Sequence, residues 1–191
     1  MAEKVLHIAT FTGKVFDLLN PKPEMVCIED IAHSLAYQCR YTGHTKIFYS
    51  VAQHCVLMAE NPDFPGDPMK KLLHDADETY LGDIAKPWKD LLRVQKGYGV
   101  GSRIEGVGKT EQAVQTVIGE ALGVDLSFSE DVKESDIRMA ATEIRDVMTE
   151  MDATFLWGYD LGDEAQERII SWSPEIAEVR FLKTYNNLKK G

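Results

Sequence analysis

The chain has 191 residues, 44% of them hydrophobic and 27% charged, the proportions of a globular protein of one domain's size with a substantial core. No apolar run approaches the roughly 20 residues of a membrane span, and the opening MAEKVLHIATF lacks the unbroken apolar segment of a secretory signal, so no membrane partner and a cytoplasmic location are expected. A net charge of −10 argues against nucleic-acid polymers as partners, because tracking a phosphate backbone takes a basic surface, but it leaves room for a small anion held by a few local Arg and Lys residues.

Cys27, Cys39 and Cys55 are odd in number and show no C-x-x-C spacing, so they read as small core residues in a reducing compartment rather than as disulfides or zinc ligands. Apolar residues recur mostly at helical spacing, and the expected fold class is all-α: one compact helical bundle over residues 1–191. Ile28, Ile31, Ala32, Leu35, Ala36 and Cys39 mark an amphipathic helix ending near Arg40, with His33, Tyr37 and Arg40 on another face. Ser50 followed by Gln53 is a capping-box signature for a second helix, whose stripe of Val51, Cys55 and Met58 has His54 beside it, pointing inward.

Asp67 and Pro68 announce a third helix, with Met69, Leu72, Leu73 and Ala76 buried and with His74 and Asp75 on it; Gly82 and Pro87 end it. Five glycines between Gly97 and Gly108 predict a mobile loop near the pocket mouth. Helical spacing resumes from about Glu111 to Leu122 and from about Val132 to Met151, where Ile137, Ala141, Ile144, Met148 and Met151 form the stripe and Asp136 and Glu143 flank it. Ser173 and Pro174 cap a last helix with a Lys-rich end.

The chemistry lies in the third helix, where an imidazole and a carboxylate, His74 and Asp75, directly follow core residues. An ionised carboxylate at such an edge costs several kcal/mol unless it is paired or binds metal. Glu78 stands one helical turn on, within reach of the same patch. Adding inward-facing His54 and the flanking Asp136 gives two nitrogens and two carboxylates from three helices, a set suited to Zn²⁺, Mn²⁺, Fe²⁺ or Co²⁺. GVGKT at 106–110 imitates the end of a P-loop, but the pattern needs glycine at 103, where Arg103 stands, and no strand is expected before it. Zinc deaminases need H-x-E and P-C-x-x-C, and neither occurs.

With these motifs on the page, the sequence resembles the HD-domain phosphohydrolases, closest to their 5′-deoxynucleotidase group. YSVAQHCVLMAE resembles the first-ligand helix, LLHDADETYLGDIAKPWK the central motif and VKESDIRMAATE the late motif, so the resemblance covers about residues 25–151 and leaves about 152–191 as a C-terminal helical extension. It implies His54, His74, Asp75 and Asp136 as ligands of one divalent metal ion (Mn, Co, Zn, Fe or Mg), Glu78 as catalytic acid or base, and Asp83 as a further catalytic acid. Arg40 and Tyr41 occupy the place of an Arg-aromatic pair and imply phosphate binding and sugar discrimination; Lys89 matches a family lysine. The group's usual tryptophan is Tyr41 here, and the His54-to-His74 gap is short.

No histidine follows His74, whereas two-metal HD proteins resemble one another in needing further histidines, so a single metal is favoured. His33, on the helix face of Arg40, and His44, four residues after it, are further candidates for substrate binding, while His7 reads as an ordinary histidine. The expected function is phosphate release from deoxynucleoside 5′-monophosphates, with a nucleotide as small-molecule partner. Triphosphohydrolysis of dNTPs, alarmone hydrolysis and a nucleotide-binding regulator that keeps its metal site are the alternatives. Self-association into a homodimer or larger homo-oligomer stays open.

Overall fold

The computed structural model describes residues 6–96, 103–150 and 163–190. Helices dominate it, but two antiparallel hairpins are also present, so the all-α expectation is corrected to mainly α. β1 (His7–Ala9) pairs with β2 (Val15–Asp17), and fully buried Phe16 stacks on Tyr80 at 3.6 Å. Strands of three residues are too short for alternation to show in the sequence. The segment expected as a mobile loop from Gly97 to Gly108 is also corrected. Residues 103–106 are strand and Val107 opens a helix, while 97–102 lie outside the described residues. The glycines at 106 and 108 fall at a strand end and in a first helical turn, where a missing side chain costs little.

α1 (Ile28–Tyr37) buries Ile31, Ala32, Leu35 and Ala36 as the periodicity predicts, but it ends before Arg40: Gln38 is extended and Cys39 bridges Ser50. α2 (Val51–Glu60) starts at Ser50, whose hydroxyl accepts the Gln53 N–H at 3.1 Å. The Gln53 amide does not complete a capping box; it donates to Ile170 O at 2.7 Å and accepts the Trp172 N–H at 3.0 Å, tying the chain before the last helix to α2. α3 (Pro68–Leu73) is capped by Asp67, which accepts the Lys70 N–H at 2.9 Å. The expected run of this helix to Gly82 is broken at His74–Asp77, a tight turn that leads into α4 (Glu78–Leu81).

α5 (Lys86–Leu91) precedes the second hairpin, β3 (Arg93–Lys96) with β4 (Arg103–Gly106), and α6 (Val107–Leu122) follows. The stripe expected on α7 (Glu130–Asp146) is corrected: its buried face holds Val132, Ser135, Met139, Thr142 and Glu143, with Ala141, while Ile137 and Ile144 are half-buried, Met148 lies past the helix end and Met151 lies outside the described residues. Hydrophobicity misses this face because its polar members are internally bonded. The Ser135 hydroxyl donates to Pro65 O at 2.5 Å, and Thr142 Oγ1 accepts the Ala165 N–H at 2.8 Å. α8 (Pro174–Lys190) packs on α1, α2 and α3 and buries Ala177, Phe181 and Tyr185 in the core those helices share. No helix among the described residues is long and apolar enough to cross a membrane.

Candidate metal centre

α2 carries His54, the turn after α3 carries His74 and Asp75, and α7 carries Asp136, and the four side chains converge. His54 Nε2 lies 3.2 Å from His74 Nε2, 3.7 Å from Asp75 Oδ2 and 3.3 Å from Asp136 Oδ1. His74 Nε2 lies 3.2 Å from Asp75 Oδ2 and 3.8 Å from Asp136 Oδ1. His54 is fully buried, and Asp136 is the most open of the four, its side chain 42% exposed.

The far side of each ring decides what these atoms present. His54 Nδ1 is 2.6 Å from Glu143 Oε1 and His74 Nδ1 is 2.8 Å from Lys71 O. A carboxylate and a carbonyl only accept, so both Nδ1 atoms carry the hydrogen and both Nε2 atoms turn lone pairs inward. Such outer bonds set the tautomer of metal-ligating histidines. Electron-rich atoms 3.2–3.8 Å apart repel one another unless positive charge joins them. Two nitrogens and two carboxylate oxygens fit Zn²⁺, Mn²⁺, Fe²⁺ or Co²⁺, and suit Mg²⁺ least, because Mg²⁺ prefers oxygen alone. Without a metal a proton can do part of this work. Burial opposes charging of His74, but Asp75 and Asp136 outweigh it and hold its pKa well above the ordinary value. Burial likewise opposes charging of Asp75, but His74 and Arg40 keep its carboxyl far below the usual range. Cys55 also nears His74 and Asp75, yet burial pushes its thiol up to about 11, so it stays neutral.

Glu143, expected on a helix flank, is the buried acid of this cluster. It is fully buried, accepts His54 Nδ1–H and the Tyr41 hydroxyl, and faces Arg40 Nε at 3.4 Å. Burial alone would raise its pKa, but Arg40, His54 and Tyr41 bring it below the ordinary value. Its spacing from Asp136, two helical turns along α7, was the signal available. Arg40 Nη1 reaches Asp75 Oδ2 at 3.2 Å, so one guanidinium joins both carboxylates. Tyr41 and Thr42 are held at φ of +55° and +54°, a left-handed conformation that is costly for residues other than glycine and typical of functional segments.

Glu78 is 5% exposed, and its Oε2 has no hydrogen-bond partner among the described residues. Burial, then Asp75 and Asp83, push its pKa up to about 10, so it carries a proton at neutral pH. Lys89 Nζ bridges Glu111 Oε1 at 2.9 Å and Glu78 Oε1 at 3.9 Å, which places it at the site. Asp83 is half-buried; burial raises its pKa, Arg40 opposes this and Asp75 adds to it. Asp77 is buried, and burial with Asp75 and Glu111 raises its pKa to about 7. His33 is not brought to this cluster: it lies between the rings of Phe11 and Tyr37 and bonds Glu178 of α8 at 3.0 Å. His44 is exposed beyond the Arg40–Gly43 turn, where its backbone N–H bonds Tyr41 O at 3.0 Å. His7 is also exposed, 3.8 Å from Asp17.

The chain is 35% identical to the uncharacterized protein YfdR of Escherichia coli K12 over 187 residues, 96% of either chain. It belongs to the same family as YfdR. The uncharacterized protein RCAP_rcc00048 of Rhodobacter capsulatus is 43% identical over 96 residues, 46% of this chain and 47% of that one. No family model matches the chain.

Proposed function

We propose that the chain is a metal-dependent phosphohydrolase that releases inorganic phosphate from deoxynucleoside 5′-monophosphates. The observation that carries this reading is the pair of imidazole Nε2 atoms 3.2 Å apart, each turned inward by a bond at its Nδ1, with Asp75 and Asp136 beside them. A divalent cation bound there polarises a phosphoryl group and lowers the pKa of the attacking water. Arg40 faces the same space with a planar, permanently charged fork suited to phosphate oxygens, and Glu143 holds that fork in place. Glu78, buried beside Asp75 and Asp83, would give a hydrogen to the ester oxygen as the P–O bond breaks and the nucleoside leaves as an alcohol. Lys89 keeps a positive charge beside it, and Asp83 adds a second carboxyl. The Tyr41 hydroxyl is engaged by Glu143 and its ring lies against the Arg40 guanidinium, and in this reading Tyr41 discriminates the sugar beside the phosphate that Arg40 holds.

Metal analysis of the purified protein, followed by a panel of deoxy- and ribonucleotides with one to three phosphates, tests the reading. One equivalent of metal, phosphate from the deoxynucleoside monophosphates and loss of both in Asp75→Ala are expected. Absence of hydrolysis with Mn²⁺, Co²⁺ or Zn²⁺ added would overturn the activity, and triphosphate or pyrophosphate as product would overturn the substrate.

A further inference from the structure

The connection between α6 and α7 is firmly anchored. Gly123 ends α6 at φ +71°, and the Val124 N–H bonds Gly119 O at 2.9 Å. A Cβ on Gly119 would meet Val124 O at 2.6 Å, so only glycine lets the loop lie this close to the helix. Asp125 accepts the Ser127 N–H at 3.0 Å and Lys70 Nζ at 2.9 Å, and Ser129 caps α7. On this loop Phe128 is 73% exposed, an apolar ring held in water by a backbone tied to α3, α6 and α7.

Phe128 lines a cavity of about 240 Å³ that includes the metal-centre residues His74 and Asp136, with Lys70, Lys133 and Gln115 around them. Gln115 is fixed there, its amide donating to Leu73 O and His74 O at 2.8 Å each. None of Arg40, Tyr41, Glu78, Asp83 or Lys89 lines this cavity. The metal centre therefore has two flanks: one charged and acid-bearing, the other mixed in polarity with an exposed aromatic. The cavity is smaller than the several hundred Å³ usual for a whole drug-sized ligand.

We infer that this second flank binds the heterocyclic base of a nucleoside monophosphate, with the base stacked on Phe128. The inference rests on the phosphohydrolase reading and adds the part of the substrate that the charged flank leaves unheld. Every base has a π-face, so stacking favours nucleotides over sugar phosphates without choosing strongly among bases, and the loss of one such stack weakens binding by roughly 5- to 150-fold. The preordered loop adds to this, because little motion is lost when the ligand arrives.

The test is calorimetric titration of the Mn²⁺-loaded protein with the 5′-methylenephosphonate analogue of deoxyadenosine monophosphate, which resists hydrolysis, and separately with inorganic phosphate. The wild type should bind the analogue at least tenfold more tightly than phosphate. Phe128→Ala and Phe128→Leu should each lose at least about fivefold in affinity for the analogue and keep their affinity for phosphate. Phe128→Tyr should restore analogue binding. Equal affinity of the wild type for both ligands overturns the inference and leaves the phosphohydrolase reading standing, and so does full analogue binding by Phe128→Leu. If the wild type binds neither ligand, both readings fall.

Discussion

Replacing Glu143 by glutamine removes one charge from a fully buried position. In the wild type the carboxylate receives the His54 Nδ1–H at 2.6 Å and the Tyr41 hydroxyl, and it balances Arg40. In Glu143→Gln the guanidinium keeps Asp75 as its close carboxylate among the described residues, and one amide group must turn N–H bonds toward a donor. A hydrogen bond to a charged group contributes about 1.5–3 kcal/mol, and breaking a buried ion pair costs about 3–5 kcal/mol. These overlap and do not add, so a loss of about 3 kcal/mol is expected. Urea unfolding in EDTA measures it as a fall in midpoint of about 1–2 M. Because the Glu143 pKa is lowered in the folded protein, its stabilisation is present above its ordinary value of 4.5 and fades as pH falls through the folded value. The gap between wild type and variant therefore closes in acid. Metal affinity should fall 10- to 100-fold as His54 loses its orienting partner. A variant within 0.5 kcal/mol (roughly the noise of surface changes) and about twofold in metal affinity would refute the reasoning.

Glu78→Gln should raise the midpoint of the metal-free protein at pH 8 while abolishing turnover, since the buried acid must take up a proton that glutamine does not need; an unchanged midpoint in urea contradicts the raised pKa. The metal-free protein should lose melting temperature from pH 6 to pH 9. His74 and Glu78 both have raised folded pKa values, so their protonated forms stabilise below the unfolded values of 6.5 and 4.5, and that stabilisation is lost as pH rises through the folded ones. Metal affinity should rise over the same range as the ligands shed protons, as titration at each pH would record. Gly119→Ala should cost about 1–3 kcal/mol by forcing Val124 O away from α6, which denaturant unfolding would detect.

The convergence of His54, His74, Asp75 and Asp136 was legible in the sequence because each sits at a set angle on or beside an amphipathic segment. Glu143 was not placed with them, although it lies on the helix of Asp136. Its burial depends on Arg40 and Tyr41, which reach it from a turn far away in sequence, and periodicity carries no record of such a partner. His33 shows the opposite error. It shares a face with Arg40 in an ideal helix, but α1 ends at Tyr37, so Arg40 follows a new direction and His33 turns to α8. The break at His74–Asp77 was hidden by residues that all tolerate helix.

α8 closes the core from the far end of the chain. The His33–Glu178 pair joins residues 145 positions apart, and the helix around Glu178 packs on α1, α2 and α3, of which α2 carries His54 and α3 leads into His74 and Asp75. Contacts this distant in sequence must recover their loop-closure entropy before they stabilise anything, which slows folding. Phe181 and Ala177 pack in that shared core, so loosening them should slow refolding of the helices that bring His54 and His74 together.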